Sequence, residues 1–232
     1  MTTPNTHEPR LARVAAIVAD PARSRMLCLL LSGESATAGE LAKAASVAPS
    51  TASEHLRKLL DAGLVAGESR GRHRYFRLAD PQVAHALEAL ALVAERGARD
   101  AAWEHPGRRS LRAARCCYGH LAGQLGVRLF GTLLERGALC AAHDGYALTD
   151  AGRAWLSSLG LSPPPPASRR RYAYACMDWS ERRDHLAGQL ASELFRHFID
   201  RGWLRRGPDR VVEVTPQGLR ELLPRLGGAA SG

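Results

Sequence analysis

APSTASEHLRKLLDAGLVAGESRGRHRYFRLAD, residues 48–80, decides how the first part of this chain is read. It opens on a proline and short polar side chains, continues with leucines spaced for one helical face, and ends in arginines punctuated by glycines. Leu56, Leu59 and Leu60 share a stripe, so residues 47–63 read as an amphipathic helix with those leucines in a core. LVAGES and RHRYFRLA flank Gly71 and read as the strands of a hairpin, because Gly67 and Gly71 permit a tight reversal.

Working outward, residues 11–19 are apolar with helical spacing, and Asp20 followed by Pro21 marks a helix start that runs on to Gly33. Thr37 with Glu40 three residues later is a capping box for a short helix. DPQVAHALEALALVAERG closes the unit as another amphipathic helix. Residues 11–98 therefore read as helix, helix, helix-turn-helix, hairpin and helix, after a polar start at residues 1–10.

The length of 232 residues predicts two domains. Apolar residues make up 45%, yet no run approaches the roughly 20 uncharged apolar residues that cross a bilayer. The opening MTTPNTHEPR has no apolar export region, which predicts a cytoplasmic protein with no membrane partner. A net charge of +9 suits a polyanionic partner. Residues 1–98 hold 12 basic and 10 acidic side chains, so any such attraction there is local rather than global. Five cysteines, an odd number, predict reduced thiols rather than a disulfide framework.

The local charge lies where a double helix would need it. A major groove about 12 Å wide admits a helix whose first turns carry short polar side chains. Pro49, Ser50, Thr51, Ser53, Glu54 and His55 meet that requirement, and Arg57 and Lys58 follow within reach of phosphates. In the hairpin Arg70, Arg72, Arg74 and Arg77 stand against Glu68 alone, a balance suited to neutralising a phosphate backbone.

DPARSRML, GELAKAASVAPSTASEHLRKLLDAGLV and GRHRYFRLAD resemble the second helix, helix-turn-helix and wing of the ArsR/SmtB family of winged-helix transcriptional regulators, over residues 11–97. The resemblance implies a repressor that binds double-stranded DNA. It also implies a homodimer formed by the first and last helices on a near-palindromic operator. Many relatives sense metals through cysteines before the recognition helix or through an Asp/His/Glu set on the last helix. Here GELAKAAS has no cysteine, and although Asp80, His85 and Glu95 are present, position 82 is glutamine and position 93 valine. Neither family site is expected, and His85 reads as a surface or dimer-interface residue.

Beyond residue 98 an arginine-bearing stretch, residues 99–113, reads as a linker, and a proline-rich stretch, residues 163–170, as a second one. Between and after them HLAGQL occurs at residues 120–125 and again at 185–190, an offset of 65 that also matches Leu129 with Leu194, Phe130 with Phe195 and Gly137 with Gly202. The copies, residues 114–162 and 171–227, each read as helix, short hairpin and second helix opening at Thr149 or Thr215, ahead of a tail at 228–232. Within such helices Gly123 and Gly188 would each cost about 1 kcal/mol against alanine, offset by close packing of the two halves about an approximate two-fold. The fold class expected is mainly α with small β-hairpins (α+β): a winged helix-turn-helix domain followed by a duplicated helix-hairpin-helix domain.

Histidine and cysteine gather in the repeats. Cys116 and Cys117 precede His120, and Cys176 and Asp178 precede His185. Thiolate and imidazole together suit a thiophilic metal such as zinc, copper(I) or a trivalent arsenical. Adjacent cysteines also suit a redox or electrophile sensor, and the plain reading makes these side chains packing and capping groups. An organic ligand in a crevice between the repeats is a further reading. Cys28 and Cys140 are expected in the core. The longer layout, with CYGHLAG and CMDWSERRDHLAG, resembles a subgroup of the same family that carries an extra C-terminal domain, and the resemblance implies no effector. No phosphate loop, HExxH or GxSxG is present, so a non-enzyme is expected, with a protein-interaction module or a thiol-dependent enzyme on the repeats as the alternative.

Overall fold

The computed structural model describes residues 11–71, 73–94, 106–163 and 171–227. Its contacts divide the chain into a unit ending at Ala84 and a second one beginning at His85. Residues 1–10 and 228–232, Arg72, residues 95–105 with the first part of one expected linker, and residues 164–170 of the other lie outside the described residues.

In the first unit α1 (Leu11–Val18), α2 (Pro21–Leu30), β1 (Ala36–Thr37), α3 (Ala38–Ala45), α4 (Pro49–Asp61), β2 (Val65–Arg70) and β3 (His73–Leu78) lead into α5 (Pro81–Ala94). Local chemistry sets each start. The Asp20 carboxylate accepts the Arg23 N–H at 2.9 Å and Pro21 follows it, which opens α2. The Thr37 hydroxyl accepts the Glu40 N–H at 3.3 Å while the Thr37 N–H donates to the Glu40 carboxylate at 2.7 Å, the reciprocal pair that opens α3. Leu41, Leu56 and Leu59 are buried with Met26, Leu27, Leu30, Phe76 and Leu78, and these side chains fix α3 and α4 against α2 and β3. Leu60 is half-buried. Cys28 is exposed instead of in the core, because Met26, Leu27 and Leu30 occupy the inward face of α2. The sheet has the order β1-β3-β2, antiparallel, and β2 and β3 pair from Val65 opposite Leu78 to Arg70 opposite His73.

In the second unit α6 (Pro106–Ala113) occupies part of the stretch expected as a linker. Then follow β4 (Arg115–Cys117), β5 (His120–Ala122), α7 (Gly123–Glu135), β6 (Leu139–Ala142), β7 (Gly145–Leu148) and α8 (Asp150–Ser158). The second copy runs through β8 (Tyr174–Met177), β9 (Asp184–Ala187), α9 (Gln189–Asp200), β10 (Leu204–Arg206), β11 (Val212–Val214), α10 (Pro216–Glu221) and a closing 3-10 turn, Leu223–Leu226. Each copy is hairpin, helix, hairpin, helix, so the expected helix-hairpin-helix lacks its leading hairpin.

The HLAG segments begin as strands rather than as the helices that the repeat suggests. His120–Ala122 is a strand, and Gly123 and Gly188 sit where strand turns into helix rather than inside one, with φ of +77° and +99°. A Cβ there would lie 2.6 Å from the Arg112 carbonyl oxygen and 2.7 Å from that of Tyr172, so both junctions require glycine. The second helices do open at Thr149 and Thr215, whose hydroxyls accept the N–H of Gly152 and Gly218. The halves exchange support: α7 packs on β9, α9 packs on β5, and β5 and β9 adjoin. Leu129, Phe130, Leu133, Leu190, Leu194, Phe195, Phe198 and Trp203 fill the core between them. Cys140 is exposed, since on β6 its neighbour Leu139 takes the inward side. Among the described residues no helix is long and apolar enough to cross a membrane.

Candidate functional site

At the start of α4, Pro49, Ser50, Thr51, Ser53 and Glu54 are all exposed, above a buried Ala52, Leu56 and Leu59. Ala48 supplies no side-chain cap, so that end of the helix keeps backbone donors open to a partner. Arg57 pairs with Asp61 at 3.0 Å and Lys58 with Glu54 at 2.8 Å. Exposed pairs of this kind contribute little, because solvent screens them.

His55 departs from the expected set. Its Nδ1 lies 3.3 Å from the Arg23 guanidinium and 3.9 Å from the Asp20 carboxylate, and its side chain is only 14% exposed. It braces α4 on α2 instead of standing exposed with the other expected side chains. On the wing, Arg70, Arg74 and Arg77 are exposed; Arg70 pairs with Glu68 at 3.2 Å, Arg74 lies over the Phe76 ring, and Arg77 bonds the Leu78 and Ala79 carbonyls. Arg72 lies outside the described residues.

The second constellation is buried. Cys117 and His120 are direct cross-strand partners on the β4–β5 hairpin, and Cys176 and His185 are direct partners on β8–β9. Side chains directly opposite one another share a face of a hairpin. Each repeat thus presents one thiol and one imidazole, and the contact of β5 with β9 brings the pairs together. One ligand atom from each of the four residues lies within 4.8 Å of all the others. His120 Nε2 and His185 Nε2 are 3.1 Å apart.

Cys116, expected with this group, lies on the opposite face of β4 and packs in the hydrophobic core, because successive strand residues point to opposite sides. Burial pushes its thiol up. Asp178 belongs to the layer behind the four: its carboxylate lies 3.1 Å from His185 Nδ1 and accepts the Gly123 N–H at 2.7 Å. Its position in the loop of residues 178–183, longer than the turn at residues 118–119 of the first repeat's hairpin, allows that reach.

The cluster is polarised. The Cys117 thiol donates to the Cys176 sulfur and holds it well below the usual thiol range, against the effect of burial, with His120 and His185 adding to it. Cys117 is correspondingly raised by that bond and by burial. Burial lowers His120. It would lower His185 too, but contacts with Asp178 and Cys176 prevail and lift His185 to about 9. Burial opposes ionisation of Asp178, and His185, Arg115 and Ser180 together reverse that and keep the carboxyl below the usual carboxylate range.

Sequence reading missed the charges behind the cluster. Arg115 is fully buried, with its guanidinium 3.0 Å from Asp178, 3.8 Å from Glu88 and stacked 4.4 Å from the Trp179 ring. Glu88 in turn bonds Arg210 at 2.7 Å. A glutamate inside the apolar run VAHALEALALVA was the available signal for a buried partner. Beside the cluster lies a cleft of about 220 Å³ lined by His85, Glu88, Arg171, Tyr174, Cys176 and Met177. His85 bonds the Tyr174 hydroxyl at 2.9 Å there.

Residues 20–66 match the model of a family described as bacterial regulatory protein, arsR family. An uncharacterized HTH-type transcriptional regulator, YdfF of Bacillus subtilis, is 38% identical over 212 residues, 90% of this chain and 94% of its own length. The HTH-type transcriptional regulator CmtR of Mycobacterium tuberculosis is 39% identical over 93 residues, 40% of this chain and 78% of its own. A probable mercury resistance operon repressor of Streptomyces lividans is 33% identical over 96 residues, 41% of this chain and 76% of its own.

Proposed function

Because the chain belongs to the arsR family of bacterial regulatory proteins, we propose that it is a homodimeric, sequence-specific repressor whose DNA affinity is set by the species that its C-terminal cysteine–histidine centre captures. The single observation that carries the DNA-binding part is the exposed, uncapped start of α4 in one unit with a basic exposed hairpin. Pro49, Ser50, Thr51, Ser53 and Glu54 would meet base edges, and Arg57, Lys58, Arg70, Arg72, Arg74 and Arg77 would meet phosphates. His55 is left to position α4.

Two features support the dimer. None of the residues of α1 is buried within the protomer, although its sequence is LARVAAIV. Leu90 and Val93 of α5 are likewise exposed. A second copy is the occupant that a two-fold operator calls for, with recognition helices about one DNA turn apart. The relative named as a mercury resistance repressor supports a thiophilic effector class by analogy.

Fluorescence anisotropy with a duplex from the chain's own upstream region tests the reading. Affinity is expected to fall steeply with salt, Arg74→Ala to weaken binding to every duplex and reduce the salt slope by about 1, and Ser53→Ala to change the ratio between specific and scrambled duplexes. Affinities untouched by both substitutions would place the DNA surface elsewhere.

A further inference from the structure

We propose that Cys117, His120, Cys176 and His185 jointly hold one divalent thiophilic cation, zinc in chemistry, in four-coordinate geometry, joining the two repeats of the C-terminal unit. Each hairpin brings half of the ligand set as a cross-strand cysteine–histidine pair, and the halves meet with all four ligand atoms within 4.8 Å of one another. Bonds of about 2.3 Å to sulfur and about 2.0–2.1 Å to nitrogen put the corners of a tetrahedron roughly 3.3–3.8 Å apart. The 3.1 Å between the two Nε2 atoms is close to such an edge, so small adjustments of side chains suffice.

The surroundings fit a cation better than they fit a packed core. Asp178 stands 3.1 Å behind His185 at Nδ1, which leaves Nε2 facing the centre, the arrangement by which a carboxylate orients a ligating histidine. All four side chains are buried, where an uncompensated charge is costly. Two thiolates and a divalent cation sum to zero, whereas a monovalent ion would leave a buried negative charge. Two sulfurs and two nitrogens select zinc or its heavier congener cadmium over the hard, oxygen-seeking ions. Four protein ligands leave no open position for a substrate, so the ion is held rather than used in turnover. A cleft lined by Arg171 and Tyr174 borders the centre at Cys176.

The site itself stands on the C-terminal unit alone; only the ion's role as the signal rests on the DNA-binding reading, so metal binding is tested without DNA. The full chain, stripped with chelator under reductant, is titrated with cobalt(II), and its zinc-loaded form is examined by X-ray absorption. The expected result is one equivalent per chain, the ligand-field bands of tetrahedral cobalt with a thiolate charge-transfer band, and a zinc shell of two sulfurs and two nitrogens. Asp178→Asn should weaken affinity about 10–100-fold and keep that spectrum, and Cys140→Ser should change neither. An octahedral cobalt spectrum, a zinc shell without sulfur, or one equivalent still bound after Cys117→Ser with Cys176→Ser would overturn the proposal. The absorption spectrum of the unsubstituted chain decides the matter even if a variant fails to fold.

Discussion

His120 and His185, 65 residues apart in the chain, turn their Nε2 atoms toward one another across 3.1 Å from equivalent strands of the two repeats. The repeat that is visible as HLAGQL thus has a chemical product: two copies of one histidine meet, each with its own cysteine opposite. Neither copy holds the full set, so a ligand bound there links the halves.

That linkage predicts a stability effect of metal removal. A ligand that binds only the folded state stabilises it by about 2.7 kcal/mol at a free concentration of 100 times its dissociation constant. Trp103, Trp155, Trp179 and Trp203 all lie beyond His85, so tryptophan fluorescence follows the C-terminal unit. Chelation should lower the midpoint of that thermal transition and added zinc should restore it. A midpoint indifferent to both would separate the centre from the stability of the unit.

Arg115 is predicted to be essential to the same unit. Its fully buried guanidinium lies between Asp178 and Glu88, so Arg115→Met leaves both carboxylates short of their compensation. Removing one partner from a buried ionic group costs roughly 3–5 kcal/mol. Urea unfolding followed by tryptophan fluorescence checks this, and a loss within 1 kcal/mol or so would show that Arg210 alone suffices for Glu88.

In the first unit, Thr37→Ala is expected to destabilise by about 0.5–2 kcal/mol through loss of the capping box, read by circular dichroism in urea. The bonds from the Thr37 backbone and hydroxyl hold Glu40 below the usual carboxylate range. A lowered folded value means the contribution is complete above the unfolded glutamate's range and is lost as pH falls through the folded one. The gap between the wild type and Glu40→Gln should therefore narrow as pH falls through the folded range, and a gap of constant size would contradict the assignment.

The first unit was legible because its boundaries are set locally: Asp20 with Pro21, Thr37 with Glu40 and Pro49 each mark a start within a few residues. His55 was misplaced because its partners, Asp20 and Arg23, come from another helix. In the second unit the repeat was visible but its leading hairpins were not, since HLAG carries too short an apolar run to separate strand from helix. The ligand set was half hidden for a related reason. Aligning the histidines misaligns the cysteines, because residues 118–119 close one hairpin and residues 178–183 the other. Only the strand pairing restores Cys117 and Cys176 to equivalent places.

If occupancy of the cysteine–histidine centre governs DNA affinity, anisotropy titrations of one specific duplex with zinc-loaded and with chelator-stripped protein should give dissociation constants that differ by about 5–150-fold, the usual range of coupling between distinct sites. The difference should vanish in Cys117→Ser with Cys176→Ser. Equal constants for the loaded and stripped protein, with zinc shown to be bound in one and absent from the other, would contradict that coupling.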